Sequence, residues 1–257
     1  METLKVKVEV LVAAMNQDDH SLVQRMNLQT DAIIGNQCGK NQIEDFLYKN
    51  NKIRYLSFNE RGVGLNRNNA LMRATGDICI FADDDMRFFD GYEKTVVQAF
   101  CENPKADVIV FNIKEKEKIR HINRKNHRVN KFNFLRYGAA RIAIKLDSIK
   151  KQGIYFNLCF GGGTEHSAGE DNLFLASCLK HKLKIYASKY YLAELLDCRE
   201  SSWFKGYNKK YIQDKGLLFR IISPSFWFFL CLQDCIRHHK RYKMSFFKTL
   251  LLMIKKA

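Results

Sequence analysis

A short apolar run that ends in three carboxylates restricts the fold more than any other feature of this sequence. Residues 78–82 are apolar and rich in β-branched and aromatic side chains, and Asp83, Asp84 and Asp85 follow directly. Such a run predicts a buried strand. Three adjacent carboxylates repel one another and resist burial, so a chain tolerates them where a cation or a bound ligand neutralises their charge. A solvated acidic turn is the alternative interpretation.

Further apolar runs alternate with segments of helical pattern, which predicts a parallel sheet with right-handed crossovers. The predicted strands cover residues 6–15, 31–36, 53–58, 78–82, 106–113, 139–146 and 183–186. The predicted helices cover residues 20–28, 42–50, 66–74, 90–102 and 173–181, and more helices are expected after residue 202. Residues 114–130 carry charge without periodicity, which favours a loop or an irregular hairpin. The fold class is therefore α/β, and ligands are expected at the carboxyl ends of the parallel strands.

The charge balance favours anionic partners. The 257 residues hold 43 Lys and Arg against 27 Asp and Glu, a formal charge of +16. Nucleic acid, acidic lipid and phosphorylated substrates all fit such an excess. The cations concentrate in residues 114–136 and 205–256. The first of these runs is either a solvated surface or a contact for a pyrophosphate-linked acceptor.

The cysteines and the apolar runs indicate a cytoplasmic protein. The eight cysteines form no C-x-x-C pair and no zinc-ligand spacing with histidine, which favours a reducing compartment. The first residues lack the apolar run of a secretory signal. No stretch reaches the ~18 apolar residues of a membrane-spanning helix.

Three motifs occur in an order typical of one enzyme family. Gly62 opens a segment that reads G-x-x-x-x-R-N-x-A, with its arginine at Arg67; the three aspartates at 83–85 follow, and Gly169-Glu170-Asp171 precedes an apolar helix. This order resembles family 2 glycosyltransferases with the GT-A fold, over roughly residues 6–205. The resemblance implies a Rossmann-like, mixed but mainly parallel sheet flanked by helices. It also implies a GT-A domain at 1–205, with a nucleotide-sugar-binding half at 1–113 and an acceptor-binding half at 114–205, followed by a basic amphipathic helical region at 206–257.

The resemblance implies a metal site and a catalytic base. Asp85, with Asp83 second, is the expected ligand of Mn²⁺ or Mg²⁺, which neutralises the diphosphate leaving group. Asp83 or Asp84 alternatively binds the ribose. Asp171 or Glu170 is the expected general base for the acceptor hydroxyl, although acidic residues also favour a helix N-terminus without catalysis.

Donor binding is expected from the strand ends and from the arginine. Asn16 ends the first strand, and Arg67 is expected to pair with phosphate, unless it is an ordinary exposed helix cation. Many relatives end the second strand in an acid that meets the nucleotide base, but here Asn36 and Gln37 take its place. Either amide can form hydrogen bonds with the edge of a base, so these residues do not identify the nucleotide.

Acceptor contacts are expected from Gly162, Gly163, His166 and Trp203. The glycines are alternatively a turn, the histidine a loop residue without function, and the tryptophan a core residue. Many relatives carry a metal-binding His in an H-x-x-S-x-W setting, where this chain has Cys198. A thiolate suits neither Mg²⁺ nor Mn²⁺, so the metal has fewer protein ligands or Asp197 substitutes.

The last fifty residues combine apolar runs with cations. Residues 221–232 are apolar and aromatic, basic residues follow, and residues 246–254 carry an apolar stripe beside lysines. Such segments suit an interfacial helix on anionic lipid, and a lipid-linked acceptor would fit this location at the cytoplasmic face of the inner membrane. A helical pair that packs on the domain is the alternative.

The function that follows is a metal-dependent inverting glycosyltransferase of the hexosyltransferase class. It is expected to move a sugar from a nucleotide sugar, most simply a UDP-sugar, to a glycan or lipid-linked acceptor in bacterial capsule or lipopolysaccharide synthesis. One alternative is a metal-dependent nucleic-acid enzyme, although no nucleic-acid module is visible and no nucleic-acid partner is expected. The other is a non-catalytic glycan- or membrane-binding relative.

Overall fold

A computed structural model describes residues 6–116, 120–196 and 206–255. The strands in these ranges are β1 Val8–Met15, β2 Asp31–Gln37, β3 Gln42–Tyr48, β4 Asn51–Phe58, β5 Ile78–Asp83, β6 Met86–Phe88, β7 Val108–Lys114, β8 His127–Val129, β9 Ile142–Lys145 and β10 Ile185–Leu195. The helices are α1 Leu22–Arg25, α2 Val63–Arg73, α3 Tyr92–Glu102, α4 Leu146–Lys151, α5 Glu170–Lys180, α6 Lys209–Ile222, α7 Trp227–His238 and α8 Phe246–Ile254.

The described strands form one mixed sheet in the order β3-β4-β2-β1-β5-β9-β7-β10-β6, with β8 paired to β10. Strands β4, β2, β1 and β5 are parallel neighbours. Their carboxyl ends therefore meet at one edge, where ligands bind in sheets of this kind. The predicted α/β class with a mainly parallel N-terminal sheet is confirmed.

The predicted helix over residues 42–50 is wrong. Gln42–Tyr48 is the edge strand β3, paired antiparallel with β4. Lys49 and Asn50 both have positive φ, as a tight hairpin turn requires. Alternate side chains of β3, including Phe46 and Tyr48, are partly buried. The sequence itself does not alternate, because Ile43 and Leu47 are exposed apolar residues on the other face of β3.

Three other elements differ in length from their predictions. The helix expected over residues 20–28 is the single turn Leu22–Arg25, followed by Asn27 at φ 54°. The strand expected over 139–146 is reduced to Ile142–Lys145, which runs antiparallel to both of its neighbours. The last strand continues to Leu195, because register shifts between Ala187 and Ala193 let it follow β7 further.

Apolar side chains pack on both faces of the sheet and in a separate cluster near the C-terminus. One cluster covers the face with α1 and α3, and the other covers the face with α2 and α5. The third lies between α6, α7 and α8, around Ile212, Cys231 and Met253. Gly216 allows α6 to approach α8 closely, because a Cβ there would lie 2.0 Å from the Met253 carbonyl oxygen. The described cysteines are all free thiols.

Candidate active site

A cleft of about 1200 Å³ opens at the carboxyl ends of β1 and β5 and reaches the C-terminal helices. We call it the cleft throughout. The sheet and α2 supply Met15, Gln37, Asn66, Arg67, Asp83, Asp84 and Asp85; the loop before α5 and the start of that helix supply Gly162, Gly169, Glu170 and Asp171. The arginine of one motif and the predicted carboxylates of the other two therefore line one cleft.

Arg67 joins two of these motifs. Its Nη2 donates to Asp83 Oδ1 at 2.7 Å and its Nη1 donates to Glu170 Oε1 at 2.8 Å. The side chain is only 5% exposed and its guanidinium lies over the Phe156 ring, 5.4 Å from the centroid. Burial opposes the charge of Arg67, but the two carboxylates outweigh it and raise its pKa. The arginine is therefore already paired within the chain.

Helix α2 holds Arg67 in place through the asparagines on either side of it. Asn66 donates from Nδ2 to the carbonyls of Ala14 and Gly35, at the ends of β1 and β2. Asn68 exchanges two hydrogen bonds with the backbone of Phe156. The helix is thus fixed both to the sheet and to the segment that runs towards α5.

The three aspartates have different surroundings. Asp83 is bound to Arg67, and Asp84 Oδ2 accepts from the Met15 amide at 3.3 Å and from Gln17 Nε2 at 3.0 Å. Burial and the charges of its two acidic neighbours raise the pKa of Asp85 to about 6. A nearby cation would therefore favour the charged form of Asp85.

Glu170 and Asp171 occupy the first turn of α5. Gly169 precedes the helix at φ 118°, and Gly161, at φ 107°, leaves room for the glutamate, because a Cβ there would lie 2.8 Å from Glu170 Cδ. Asp171 is partly buried, and its Oδ1 accepts from the Asn172 amide. Burial and the charge of Glu170 raise the pKa of Asp171, although Arg67 partly offsets them.

The three amides expected to bind the donor are placed differently from one another. Asn36 is fully buried and exchanges two hydrogen bonds with the Gln17 backbone, so its side chain holds the loop after β1. Gln37 lines the cleft and donates to the carbonyls of Glu60 and Gly62. Asn16 is exposed beyond the end of β1, at φ 52°.

Among the expected acceptor residues, the glycines and His166 are described. Gly162 lines the cleft, and its carbonyl accepts from the Val63 amide at the start of α2. Gly163 follows at φ 83°. His166 is buried, and its Nδ1 lies 2.9 Å from Asp214 Oδ1 on α6. Trp203, Cys198 and Asp197 lie outside the described residues.

The C-terminal helices line the cleft, which the sequence did not predict. Helix α6 contributes Tyr211, Asp214, Lys215, Leu218 and Phe219, and α7 contributes Leu230, Gln233, Asp234, Arg237 and His238. Two isolated acids in a basic, apolar segment were the available signal. Asp214 lies against His166, and Asp234 forms an ion pair with Lys215 at 2.7 Å.

The carboxylates of the cleft provide only part of the ligands that a hard divalent cation needs. Carboxylate oxygens of Asp85 and Asp83 are the ligand type that Mg²⁺ and Mn²⁺ prefer. Over the described ranges, no group of three or more His, Cys, Asp or Glu side chains has the spacing of a metal site. A bound cation would therefore depend on phosphate and water for most of its ligands.

The family model for glycosyl transferase family 2 matches residues 20–160, more than half of the chain. The chain belongs to glycosyl transferase family 2. It is therefore a glycosyltransferase, as the motif order indicated, and family membership favours this function over the two alternatives. No curated protein matches the sequence.

Solved glycosyltransferase structures share the GT-A fold of this family 2 chain. S. aureus TarS 1-349 in complex with UDP-GlcNAc superposes with a TM-score of 0.65 at 16% identity, over 97% of this chain and 76% of that one. A structure of S. aureus TarS superposes with a TM-score of 0.63 at 14% identity, over 96% of this chain and 55% of that one. TarS 1-349 in complex with UDP gives 0.61 at 15% identity, over 96% and 90%.

Proposed function

We propose that this glycosyltransferase moves a hexosyl group from a UDP-sugar to a hydroxyl of a glycan or lipid-linked acceptor, with inversion. The observation that carries the proposal is the cleft in which Arg67 joins Asp83 to Glu170, beside Asp171. UDP-GlcNAc and UDP in the TarS structures support a UDP-linked donor. We also propose bacterial capsule or lipopolysaccharide as the product, on the family resemblance.

Asp171 is the proposed base. It accepts the proton of the acceptor hydroxyl while the hydroxyl oxygen forms a bond to the anomeric carbon. The bond from that carbon to the diphosphate breaks, and its electron pair leaves with the diphosphate. A raised carboxyl pKa suits a base at neutral pH. Glu170 is less suited, because its charge is neutralised by Arg67.

Asp85 and Asp83 are the proposed ligands of Mn²⁺ or Mg²⁺. Such a cation would neutralise charge on the diphosphate leaving group. Arg67 is then a positioning residue that aligns the carboxylates of β5 with those of α5, instead of the phosphate contact first expected. Asp84 and Gln37 are the proposed contacts for the nucleoside, since both line the cleft.

Nucleotide binding tests this function directly. The melting temperature is measured with UDP, GDP, ADP, CMP and dTDP, each with and without Mn²⁺, for wild type and Asp85→Ala. A ligand at 100 times its Kd stabilises the fold by ~2.7 kcal/mol. We expect UDP to stabilise the protein only with metal, and the variant to lose this shift. Hydrolysis of UDP-sugars then identifies the sugar. The proposal fails if no nucleotide raises the melting temperature with metal present.

We also propose that α7 and α8 bind an anionic bilayer. Phe226, Phe229, Phe247 and Leu251 are each more than 60% exposed, and the exposed cations nearby in sequence are Lys240, Arg241, Lys243 and Lys248. Apolar side chains flanked by cations suit an interface with acidic headgroups. None of the helices over the described ranges has the length and apolar character needed to cross a bilayer.

Vesicle sedimentation tests the membrane contact. Wild type is expected to bind phosphatidylglycerol vesicles and not phosphatidylcholine vesicles, with binding that weakens as salt rises. The double variant Phe226→Ser, Phe229→Ser is expected to lose binding. Leu47→Ser, which removes a similarly exposed apolar side chain from β3, is the control. Equal losses in both variants would contradict this contact.

A further inference from the structure

Two arginines of the cleft form no ion pair with any carboxylate of the described residues. Among the cations of the cleft, Arg67, Arg120 and Lys215 each form an ion pair with an acidic side chain. No carboxylate in the described part of the chain lies within ion-pair distance of Arg136 or Arg237, and both side chains are exposed. Arg136 Nη1 lies 3.4 Å from His121 Nε2, which offers no negative charge. Their charges are available to an anion.

The backbone on either side of Arg136 packs against the start of α5, which carries the proposed base. The carbonyls on either side of it, those of Leu135 and Tyr137, both accept from Asn172 Nδ2 at 3.4 Å. Asn172 directly follows Asp171. A Cβ at Gly138 would also lie 3.2 Å from Asp171 Oδ2. The segment that carries Arg136 is therefore packed against the carboxylate that is proposed to receive the acceptor proton.

Arg237 lies on α7, and α6 connects this helix to the loop before α5. Buried His166, from the loop before α5, contacts buried Asp214 of α6 at 2.9 Å. Gly169 lies so close to Leu218 of α6 that a Cβ there would be 2.9 Å from the leucine side chain. Helix α7 packs on α6 through the apolar cluster around Cys231 and Phe219. The arginine is thus held at the side of the cleft away from the sheet.

We infer that Arg136 and Arg237 bind a phosphate group, or a comparable anion, of the acceptor; this rests on the proposed function. The donor diphosphate and its cation are placed at the aspartates that end β5, so a second anion is favoured beside arginines whose charge no described carboxylate neutralises. Arginine binds phosphate through charge-assisted, often bidentate hydrogen bonds. The acceptor hydroxyl then reaches Asp171 while its anionic group stays at the arginines.

Binding of matched probes tests this inference. Kd is measured for glycerol and glycerol 3-phosphate, for N-acetylglucosamine and its 6-phosphate, and for inorganic phosphate, by calorimetry with and without saturating UDP and Mn²⁺. We expect each phosphate ester to bind at least tenfold more tightly than its neutral parent. Arg136→Gln and Arg237→Gln are each expected to reduce ester affinity about tenfold, with UDP affinity unchanged. Lys240→Gln, an exposed cation outside the cleft, is the control and is expected to change neither.

The source of the phosphate is assigned by a second arm with phosphatidylcholine vesicles that contain phosphatidic acid. Vesicle binding that is lost in the double arginine variant but kept in Lys240→Gln, Lys243→Gln, which removes the same charge from the proposed bilayer contact, assigns a lipid phosphate. Ester binding alone assigns a soluble acceptor. No preference for the esters would overturn the inference, as would arginine variants that weaken UDP instead. Failure of UDP to bind wild type would reject the proposed function, and ester binding without nucleotide would still test the arginines.

Discussion

Asp83 and Glu170 share the guanidinium of Arg67, with donor–acceptor distances of 2.7 and 2.8 Å. Arg67 and Glu170 are 103 positions apart in the sequence. One buried cation thus sets the relative position of the strand end that carries the aspartates and the helix that carries the proposed base. Four predictions follow from this arrangement and its supports.

Replacing Arg67 with methionine is expected to lower the free energy of unfolding by ~3–5 kcal/mol, because two partly buried carboxylates lose their shared partner. Transfer activity is expected to fall at least 100-fold. Arg73→Met is the control on the same helix, since Arg73 is exposed, and is expected to stay within ~0.5 kcal/mol of wild type. Urea unfolding measures both, and equal effects would contradict the bridging role.

Replacing Gly161 with alanine is expected to displace Glu170. The new Cβ would lie 2.6 Å from Val63 Cγ1 and 2.8 Å from Glu170 Cδ, in a backbone at φ 107°. Gly153→Ala is the matched control, because it has φ 59° but no atom within 4 Å of the added Cβ. Gly153→Ala incurs backbone strain of roughly 1–2 kcal/mol, and Gly161→Ala incurs more, because φ 107° lies outside the left-handed helical region. Only Gly161→Ala is expected to lose UDP-sugar hydrolysis, and similar activity in the two variants would show that Glu170 tolerates the shift.

Asp171→Asn is expected to change how stability depends on pH. The folded pKa of Asp171 is raised by burial and by Glu170, so the folded state holds this proton more tightly than the unfolded state. The resulting stabilisation is complete below the unfolded value of ~3.9 and is lost as pH rises through the raised pKa. The variant should therefore gain stability relative to wild type across that window.

The pH dependence of transfer activity tests the role of Asp171 as the base. Wild-type transfer is expected to fall as pH drops through the raised pKa of Asp171, because the base becomes protonated. Asp171→Asn should be inactive at every pH. Glu170→Gln should keep measurable activity with a lower pH midpoint, because the charge of Glu170 contributes to the raised pKa of Asp171. An active Asp171→Asn enzyme would exclude Asp171 as the base.

Asp214→Asn is expected to loosen the loop before α5 from α6. Its partner His166 is buried with it, and the second oxygen of Asp214 is buried without a hydrogen-bond partner among the described residues. We expect kcat to fall about tenfold while the Kd of UDP is unchanged. Lys210→Gln removes the exposed partner of the same carboxylate and should have little effect. A double-mutant cycle with His166→Asn measures the coupling, and additive losses would exclude a direct role for this pair.

The sequence by itself determined the family, the α/β class and the strand that carries the aspartates. These follow from local information: an apolar run that stops at Asp83, and the order of short motifs around Arg67 and Glu170. Periodicity failed at residues 42–50, where a hairpin turn at Lys49 and Asn50 decided the structure. When the apolar pattern of a short segment fits neither a helix nor a strand, pairing with a neighbouring strand decides its conformation, and here that neighbour is β4.

Only the tertiary structure decided the partners of the site residues. The sequence predicted that Arg67 contacts phosphate and that Asn36 contacts the nucleotide. In the fold, Arg67 binds two carboxylates and Asn36 binds the Gln17 backbone. It also brought α6 and α7 to the cleft, with Asp214 and Arg237. Such contacts join residues far apart in the chain, and their geometry depends on how helices pack on the sheet. The order of residues within one segment does not show which distant segment packs against it.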